Sequence, residues 1–378
     1  MGRLILFRND MQRSFSANKI VFKKLYDMHK LNKYFVIGYI ILLACSSCSR
    51  SSGQTAEPDS RDSTSPGIVT YKNPIINENC PDPSDIKAAD GYFYVYSTQN
   101  NLRNDTQYLP IHRSKDLVHW EKVGTVFNKT NHPTWVPNAR LWAPDINLID
   151  GKYVLYYAMG VWDGTFESAI GVAVADRPEG PFTDRGKVLD YTSEGVNNSI
   201  DEFYIEDQGH KYLVWGSFHG IYAVELSDDG LSVKPGVEKV QLAANQMEGS
   251  YIVKHGGYFY LIGSAGSCCE GSKSTYHLIM GRSNNVLGPY LTQDGKRMLD
   301  GAGDLLLEGN DTWVGTGHNA EFVQDDEGSD WIIYHAYRKS DPSVGRVLML
   351  DRVYWNDWGP YIKGNTASVA AKVPVFNQ

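Results

Sequence analysis

The 378-residue chain is short of cysteine, of helical periodicity and of basic charge beyond its first 44 residues. Its five cysteines are Cys45, Cys48, Cys80, Cys268 and Cys269. Cys45-x-x-Cys48 has no second pair, so the spacing of a zinc site is missing. Adjacent Cys268 and Cys269 read either as a strained vicinal disulfide or as small wall residues of a site. From Ile68 onward no stretch keeps a 3.6-residue apolar period for more than a turn or two, which argues against a helical or α/β fold. The apolar run from Tyr34 to Ala44 is too short to cross a bilayer comfortably. Formal net charge is −8, and residues 1–44 hold eight basic against two acidic side chains. Setting that net +6 aside leaves −14 on the remainder, a surface that repels nucleic acid and polyanionic pectin backbones. A neutral glycan is the easier partner.

What the chain does have is aromatic residues (12%, with 24 Tyr and 9 Trp). They fall in short β-prone runs between Gly, Asp, Asn and Pro turns. Met247 to Gly263 is representative. Glu248 heads a strand at Tyr251 to Lys254, Gly256-Gly257 makes a tight turn, and Tyr258 to Ile262 returns. Four more units have this form. Asp82 heads one that turns at Gly91, Asp145 one at Gly151, Asp201 one at Gly209, and His318 one at Gly328. The turn glycines lie roughly 47 to 72 residues apart, which is the length of a propeller blade. Outer halves such as His112 to Trp120 and Ala175 to Phe182 add a second hairpin, giving about four strands per blade. The expected fold is therefore all-β, a five-bladed β-propeller. Its inner-strand heads, four acidic and one His, converge near the axis. A β-sandwich would not explain one such head per repeat.

Residues 1–27 have no clear period, and a start at Met28 would leave them an upstream artefact. His29, Lys30 and Lys33 then form a basic region before the apolar run. Leu42-Leu43-Ala44-Cys45 resembles a bacterial lipobox, which implies cleavage before Cys45, lipidation of its thiol and a place on the cell envelope. An uncleaved membrane anchor is the other reading. Residues 1–44 are thus expected to be a signal segment and residues 45–67, rich in Ser, Thr, Gly, Asp and Pro, a flexible tether. The catalytic domain is expected over 68–378.

Two carboxyls suffice to hydrolyse a glycosidic bond, one protonating the leaving oxygen and one activating water or attacking. A third acid near the donor raises its pKa by like-charge repulsion. Asp82 lies between Pro81 and Pro83, Asp201 follows Asn198-Ser199-Ile200, and Glu248 precedes Gly249, which lets other groups come close. Cys-Pro-Asp-Pro-Ser at 80–84, Trp-Ala-Pro-Asp at 142–145, Ser-Ile-Asp at 199–201 and Met-Glu-Gly-Ser at 247–250 resemble the ordered motifs of glycoside hydrolase family 43. The likeness covers about residues 70–378. It implies an inverting mechanism with Asp82 as general base, Glu248 as general acid and Asp201 as the group that orients Glu248 and tunes its pKa.

Within that family the chain most resembles the endo-1,5-α-L-arabinanases. Gly164, the segment Asn198-Ser199-Ile200, and Gly216-Ser217-Phe218 look like their sugar-contact positions. Ser267-Cys268-Cys269-Glu270-Gly271 with Ser274-Thr275-Tyr276 resembles a characteristic run. His318 resembles an axial residue beside calcium or a water cluster. Calcium prefers oxygen ligands, so its other ligands there would be mostly water. Pro81-Asp82 and Asp201-Glu202 depart from the usual His-Asp and Asp-Pro. That leaves exo-arabinanase, α-L-arabinofuranosidase, β-xylosidase and a non-catalytic glycan-binding propeller as alternatives. Trp142 is a sugar platform or a buried blade aromatic, and Asp145 binds a hydroxyl or supports the site. His335 and Arg346 also come into question for the channel.

Overall fold

The computed structural model describes residues 69–102 and 105–377. The expected signal segment, the lipid anchor at Cys45 and the tether lie outside these residues. Five antiparallel sheets follow one another along the chain. Blade one holds β2 (Ser84–Lys87), β3 (Phe93–Tyr96), β4 (Asn100–Leu102), β5 (Asp105–Ser114) and β6 (Trp120–Phe127), after a short β1 (Thr70–Lys72). Blade two holds β7 (Arg140–Ile149), β8 (Lys152–Gly160), β9 (Ser168–Ala175) and β10 (Thr183–Asp190). Blade three holds β11 (Phe203–Asp207), β12 (His210–Trp215), β13 (Ile221–Glu225) and β14 (Val240–Ala243). Blade four holds β15 (Glu248–His255), β16 (Tyr258–Ala265), β17 (His277–Ser283) and β18 (Asp304–Leu307). Blade five holds β19 (Trp313–Gly317), β20 (Phe322–Gln324), β21 (Asp330–Arg338), β22 (Arg346–Trp355) and β23 (Pro360–Ile362). A last strand, β24 (Ala370–Lys372), pairs with β1. The one α-helix among the described residues, α1 (Tyr191–Glu194), has four residues.

The turn chemistry explains the inner hairpins. Asp150-Gly151, Gln208-Gly209 and Gly256-Gly257 each place two successive residues at positive φ. That is the type I′ turn, whose twist matches that of the strands it joins.

The apolar core is divided among the seams between blades. Tyr94, Ile111 and Phe127 of blade one pack with Leu155 and Tyr157 of blade two. Tyr156 and Ile170 then meet Leu213 and Trp215, and Phe203 and Val214 meet Ile252 and Leu261. Ile262 and Leu278 meet Ile332 and Tyr334. The ring closes where Ile333 and Leu348 pack on Phe93 and Val95. The molecule is a five-bladed β-propeller, and each blade buries its two faces against its neighbours. Closure also uses the chain between β1 and β2. Asn73 exchanges side-chain hydrogen bonds with the Leu350 backbone (2.9 and 3.0 Å), and Cys80 N–H donates to Arg346 O (2.8 Å).

One left-handed residue marks the head of every inner strand: Asp82 (φ 53°), Ala143 (40°), Asp201 (59°), Gly249 (53°) and His318 (48°). Most side chains avoid this region, and where it occurs it tends to cluster at functional sites. This register corrects the expectation of four acidic heads. Ala143 holds the head of blade two and Asp145 lies two residues further in, so three acids remain: Asp82, Asp201 and Glu248, the last just before Gly249.

Candidate active site

Asp82 is buried, and its partners come from other blades or distant segments. Arg346, at the start of β22, donates to Oδ1 at 2.7 Å, and the Thr98 hydroxyl donates to Oδ2 at 2.7 Å. Burial is the largest single influence and raises this carboxyl, but the Arg346 guanidinium, His318, His335 and the Thr98 hydroxyl together hold Asp82 well below the usual carboxylate range. His335 Nδ1 lies 3.4 Å from the same oxygen, yet the contact is not an ion pair. The Asp82 N–H donates to that nitrogen at 3.1 Å, so Nδ1 carries a lone pair and the ring is neutral. Burial first, then the Arg346 charge, keeps His335 far below its ordinary value.

Glu248 is held at both oxygens. Ser217 Oγ donates to Oε2 at 2.5 Å and Tyr276 OH to Oε1 at 2.8 Å. Asn198 Nδ2 donates in turn to Ser217 Oγ at 2.9 Å, so a relay runs from Asn198 through Ser217 to Glu248. Burial pushes the Glu248 carboxyl up, and the Asp82 charge adds to the rise. Asp201 accepts from Gly249 N–H at 3.2 Å, and burial together with the Glu248 charge pushes it up as well. Two buried carboxyls so placed do not both ionise readily, and the pair retains a proton. His318 fits against this corner because residue 249 is glycine. A Cβ there would come within 2.8 Å of His318 Nδ1, which itself lies 3.4 Å from Asp82 Oδ1. Burial lowers the His318 pKa, so this ring too is neutral.

The other expected positions divide into rim and interior. Trp142 is half-buried, with Trp162 edge-on at 6.1 Å between ring centroids, and Trp162 is 79% exposed. Phe218 is half-buried, and its N–H donates to Met247 O at 3.1 Å, beside Glu248. Gly164 stands in open space. Two residues on, Phe166 is 43% exposed, its carbonyl accepts from Asn198 N–H (3.1 Å), and its ring meets His219. Ser199 is fully buried and binds Trp215 Nε1 and Val196 O, while Ile200 O accepts from Gly216 N–H. Ser199, Ile200 and Gly216 shape the wall from behind.

Asp145 belongs to the frame. Tyr251 OH (2.6 Å) and Ser84 Oγ (3.3 Å) donate to Oδ1, and Tyr204 N–H (2.8 Å) and Asn147 Nδ2 (2.7 Å) to Oδ2. Four blades are thereby tied at one carboxyl. Burial raises it to about 6, so it is ionised at neutral pH and all four donors have a matching acceptor. Asp145→Asn puts an amide donor against one pair of these donors. We expect a loss of ~2–4 kcal/mol of stability from the unpaired groups, checked by chemical denaturation at pH 7.

Thr98, Tyr276, Trp162 and Phe166 had no assigned role in the sequence reading, and the roles of Arg346 and His335 were left open there. A signal exists only for Tyr276, which ends the Ser274-Thr275-Tyr276 run. For calcium the fit is poor. Among the described residues no three His, Cys, Asp or Glu side chains gather in a metal-holding group. His318 supplies one nitrogen to a cation that favours six to eight oxygens, and no step below depends on it.

The sequence pattern of glycosyl hydrolases family 43 matches residues 71–360. The chain belongs to that family. Among its relatives is the extracellular endo-α-(1→5)-L-arabinanase 1 of Bacillus subtilis, 33% identical over 75% of this chain and 88% of the relative. An extracellular exo-α-(1→5)-L-arabinofuranosidase of Cellvibrio japonicus is also 33% identical, over 71% of this chain and 81% of the relative. Among solved structures, the Cellvibrio cellulosa α-L-arabinanase complexed with arabinohexaose superposes with TM-score 0.67 at 31% identity, covering 75% and 95% of the two chains. The family 43 endo-arabinanase of Bacillus licheniformis gives TM-score 0.66 at 32% identity, covering 75% and 97%. This family 43 propeller is an arabinanase-like hydrolase.

Proposed function

We propose that this hydrolase cleaves α-1,5-L-arabinofuranosidic linkages inside linear arabinan, with inversion, at the envelope of a bacterial cell. The observation that carries the catalytic part is the opposed setting of two carboxyls. Asp82 is held low by the Arg346 contact and its neighbours, while burial pushes Glu248 and its coupled neighbour Asp201 up, so that pair retains a proton. In this reading Asp82 takes a proton from water as the water attacks the anomeric carbon. Glu248 gives its proton to the departing glycosidic oxygen. Asp201 holds the Gly249 amide, and with it the backbone beside Glu248, and keeps the donor's proton in place by like charge.

The endo reading draws support from the rim. A site that trims chain ends needs one side closed, whereas Gly164, Trp162 and Phe166 stand open to solvent. The Trp162 and Phe166 rings suit the apolar faces of successive sugars. Linear neutral arabinan also fits a chain whose net charge is negative.

The test is product analysis on debranched arabinan. A ladder of arabino-oligosaccharides with rapid loss of viscosity is expected. Arabinose or one short oligomer as the sole early product would overturn the endo reading and leave exo action. Turnover of aryl xylosides without release from arabinan would overturn the substrate.

A further inference from the structure

The loop between β16 and β17 ends at Tyr276, whose hydroxyl holds Glu248, and it carries the adjacent cysteines. Its neck is tied by Ser267 N–H to Thr275 Oγ1 (3.0 Å) and by Ser274 Oγ to Ser267 O (2.6 Å). Its tip leans on blade five, where a Cβ at Gly271 would meet Pro342 at 3.3 Å. Four residues beyond Pro342 is Arg346, the partner of Asp82. Cys268 is half-buried, Cys269 is exposed, and their Sγ atoms are 2.6 Å apart. Cys269 sits at φ 65°, a left-handed conformation that cysteine seldom adopts. The backbone thus already presents both sulfurs on one side. Cys80, the third cysteine of the described residues, is fully buried in the seam between blades five and one.

We propose that Cys268 and Cys269 form a redox couple at the lip of the catalytic site, a vicinal disulfide when a small disulfide oxidant is present and a dithiol when it is not. The Cys269 thiolate attacks the oxidant R–S–S–R and releases one RS⁻. Cys268 gives its proton to RS⁻, and its sulfur displaces the second RS⁻ from the Cys269 sulfur. The second RS⁻ takes up from water the proton that Cys269 released on forming its thiolate, so the cysteines lose two protons and two electrons and the oxidant leaves as two thiols. Cys269 is the attacker because it is the exposed sulfur. Its pKa is lowered by the Cys268 hydrogen bond and the Arg346 charge, whereas Cys268 is raised.

Adjacency decides what kind of disulfide this is. Neighbouring Cα atoms are about 3.8 Å apart, short of the roughly 4.4–6.8 Å of ordinary disulfides. The bond is therefore strained and readily reduced, a switch rather than a staple. Its closure stiffens the loop that delivers Tyr276 to Glu248, so the redox state is read at the active site.

The full chain is equilibrated with oxidised or reduced glutathione, alkylated with iodoacetamide and digested. In the oxidised sample the peptide holding residues 268 and 269 is expected to be 2 Da lighter and unalkylated, and in the reduced sample doubly alkylated. This readout stands whatever the substrate proves to be. On arabino-oligosaccharides, KM is expected to differ at least threefold between the two states, and Cys268→Ser is expected to show no redox response. Full alkylation of both cysteines after oxidation overturns the proposal. A disulfide that leaves kcat and KM unchanged, or a Cys268→Ser variant that responds like wild type, overturns its coupling to the site.

Discussion

Glu248→Ala is expected to lower kcat on linear arabinan by roughly 10²–10⁴-fold, the usual worth of a positioned general acid. The loss should depend on the leaving group. On an aryl arabino-oligoside whose phenolate needs no proton, Glu248→Ala keeps most of its rate, while Asp82→Ala is impaired on both substrates because the water still needs its base. Equal losses of Glu248→Ala on the two substrates would sink the acid assignment. A companion measurement separates Asp201 from both. In the proposed role Glu248 carries the proton that the pair retains, so loss of that proton sets the alkaline limb of kcat/KM. Removing the neighbouring negative charge in Asp201→Asn lowers the Glu248 pKa, and the limb moves to lower pH. A limb that stays put or moves up contradicts the role given to Asp201.

Arg346→Met carries the second large effect, and it acts from the acid side. The Arg346–Asp82 contact at 2.7 Å is buried, and breaking such a pair costs about 3–5 kcal/mol when the remaining charge stays ionised. Asp82 has another course, which is to take up a proton. Burial, the largest influence on it, is then no longer opposed by the guanidinium. The sign follows. The native Asp82 pKa lies below that of an unfolded carboxylate, so the stability it contributes is present at neutral pH and lost only in strong acid. In Arg346→Met the pKa rises, and the acid limb of kcat/KM climbs with it towards neutrality. The measurement is a pH–rate profile with a denaturation curve at each pH. An uniform loss of rate with no shift of the acid limb would mean that Arg346 does not govern the charge of Asp82.

The parts legible in the sequence are those set by local chemistry. Asp150-Gly151 and Gln208-Gly209 announce their turns because few other residue pairs tolerate two positive φ values in succession. The blade count follows from spacing those turns. Asp82, Asp201 and Glu248 were visible because each lies within a short distinctive motif. Asp145 was misplaced by two residues, since Pro-Asp stands in both Pro81-Asp82 and Pro144-Asp145 while the left-handed bend falls on Asp82 in one blade and on Ala143 in the other. Register at a bulge is a backbone property that residue identity does not reveal. The partners of Asp82 were hidden for a different reason. Arg346 and His335 are 264 and 253 residues away in sequence, and only ring closure brings them there. The hydroxyls of Ser217 and Tyr276 reach Glu248 from the loops after β12 and before β17, 31 and 28 residues away.

The closing segment gives the site a property beyond catalysis. Residues 73–80 run along β22 from Leu350 to Arg346, and two residues later the chain reaches Asp82. The clasp that fastens the first blade to the last ends at the proposed base and its guanidinium. A ring that starts to part at this clasp loses the alignment of Asp82 before its other blades melt. Turnover is thus a sensitive gauge of the ring's integrity. Under mild denaturant, activity fades ahead of the bulk β signal, and substitutions at Asn73 or Leu348 register as weak enzymes before they register as unfolded ones.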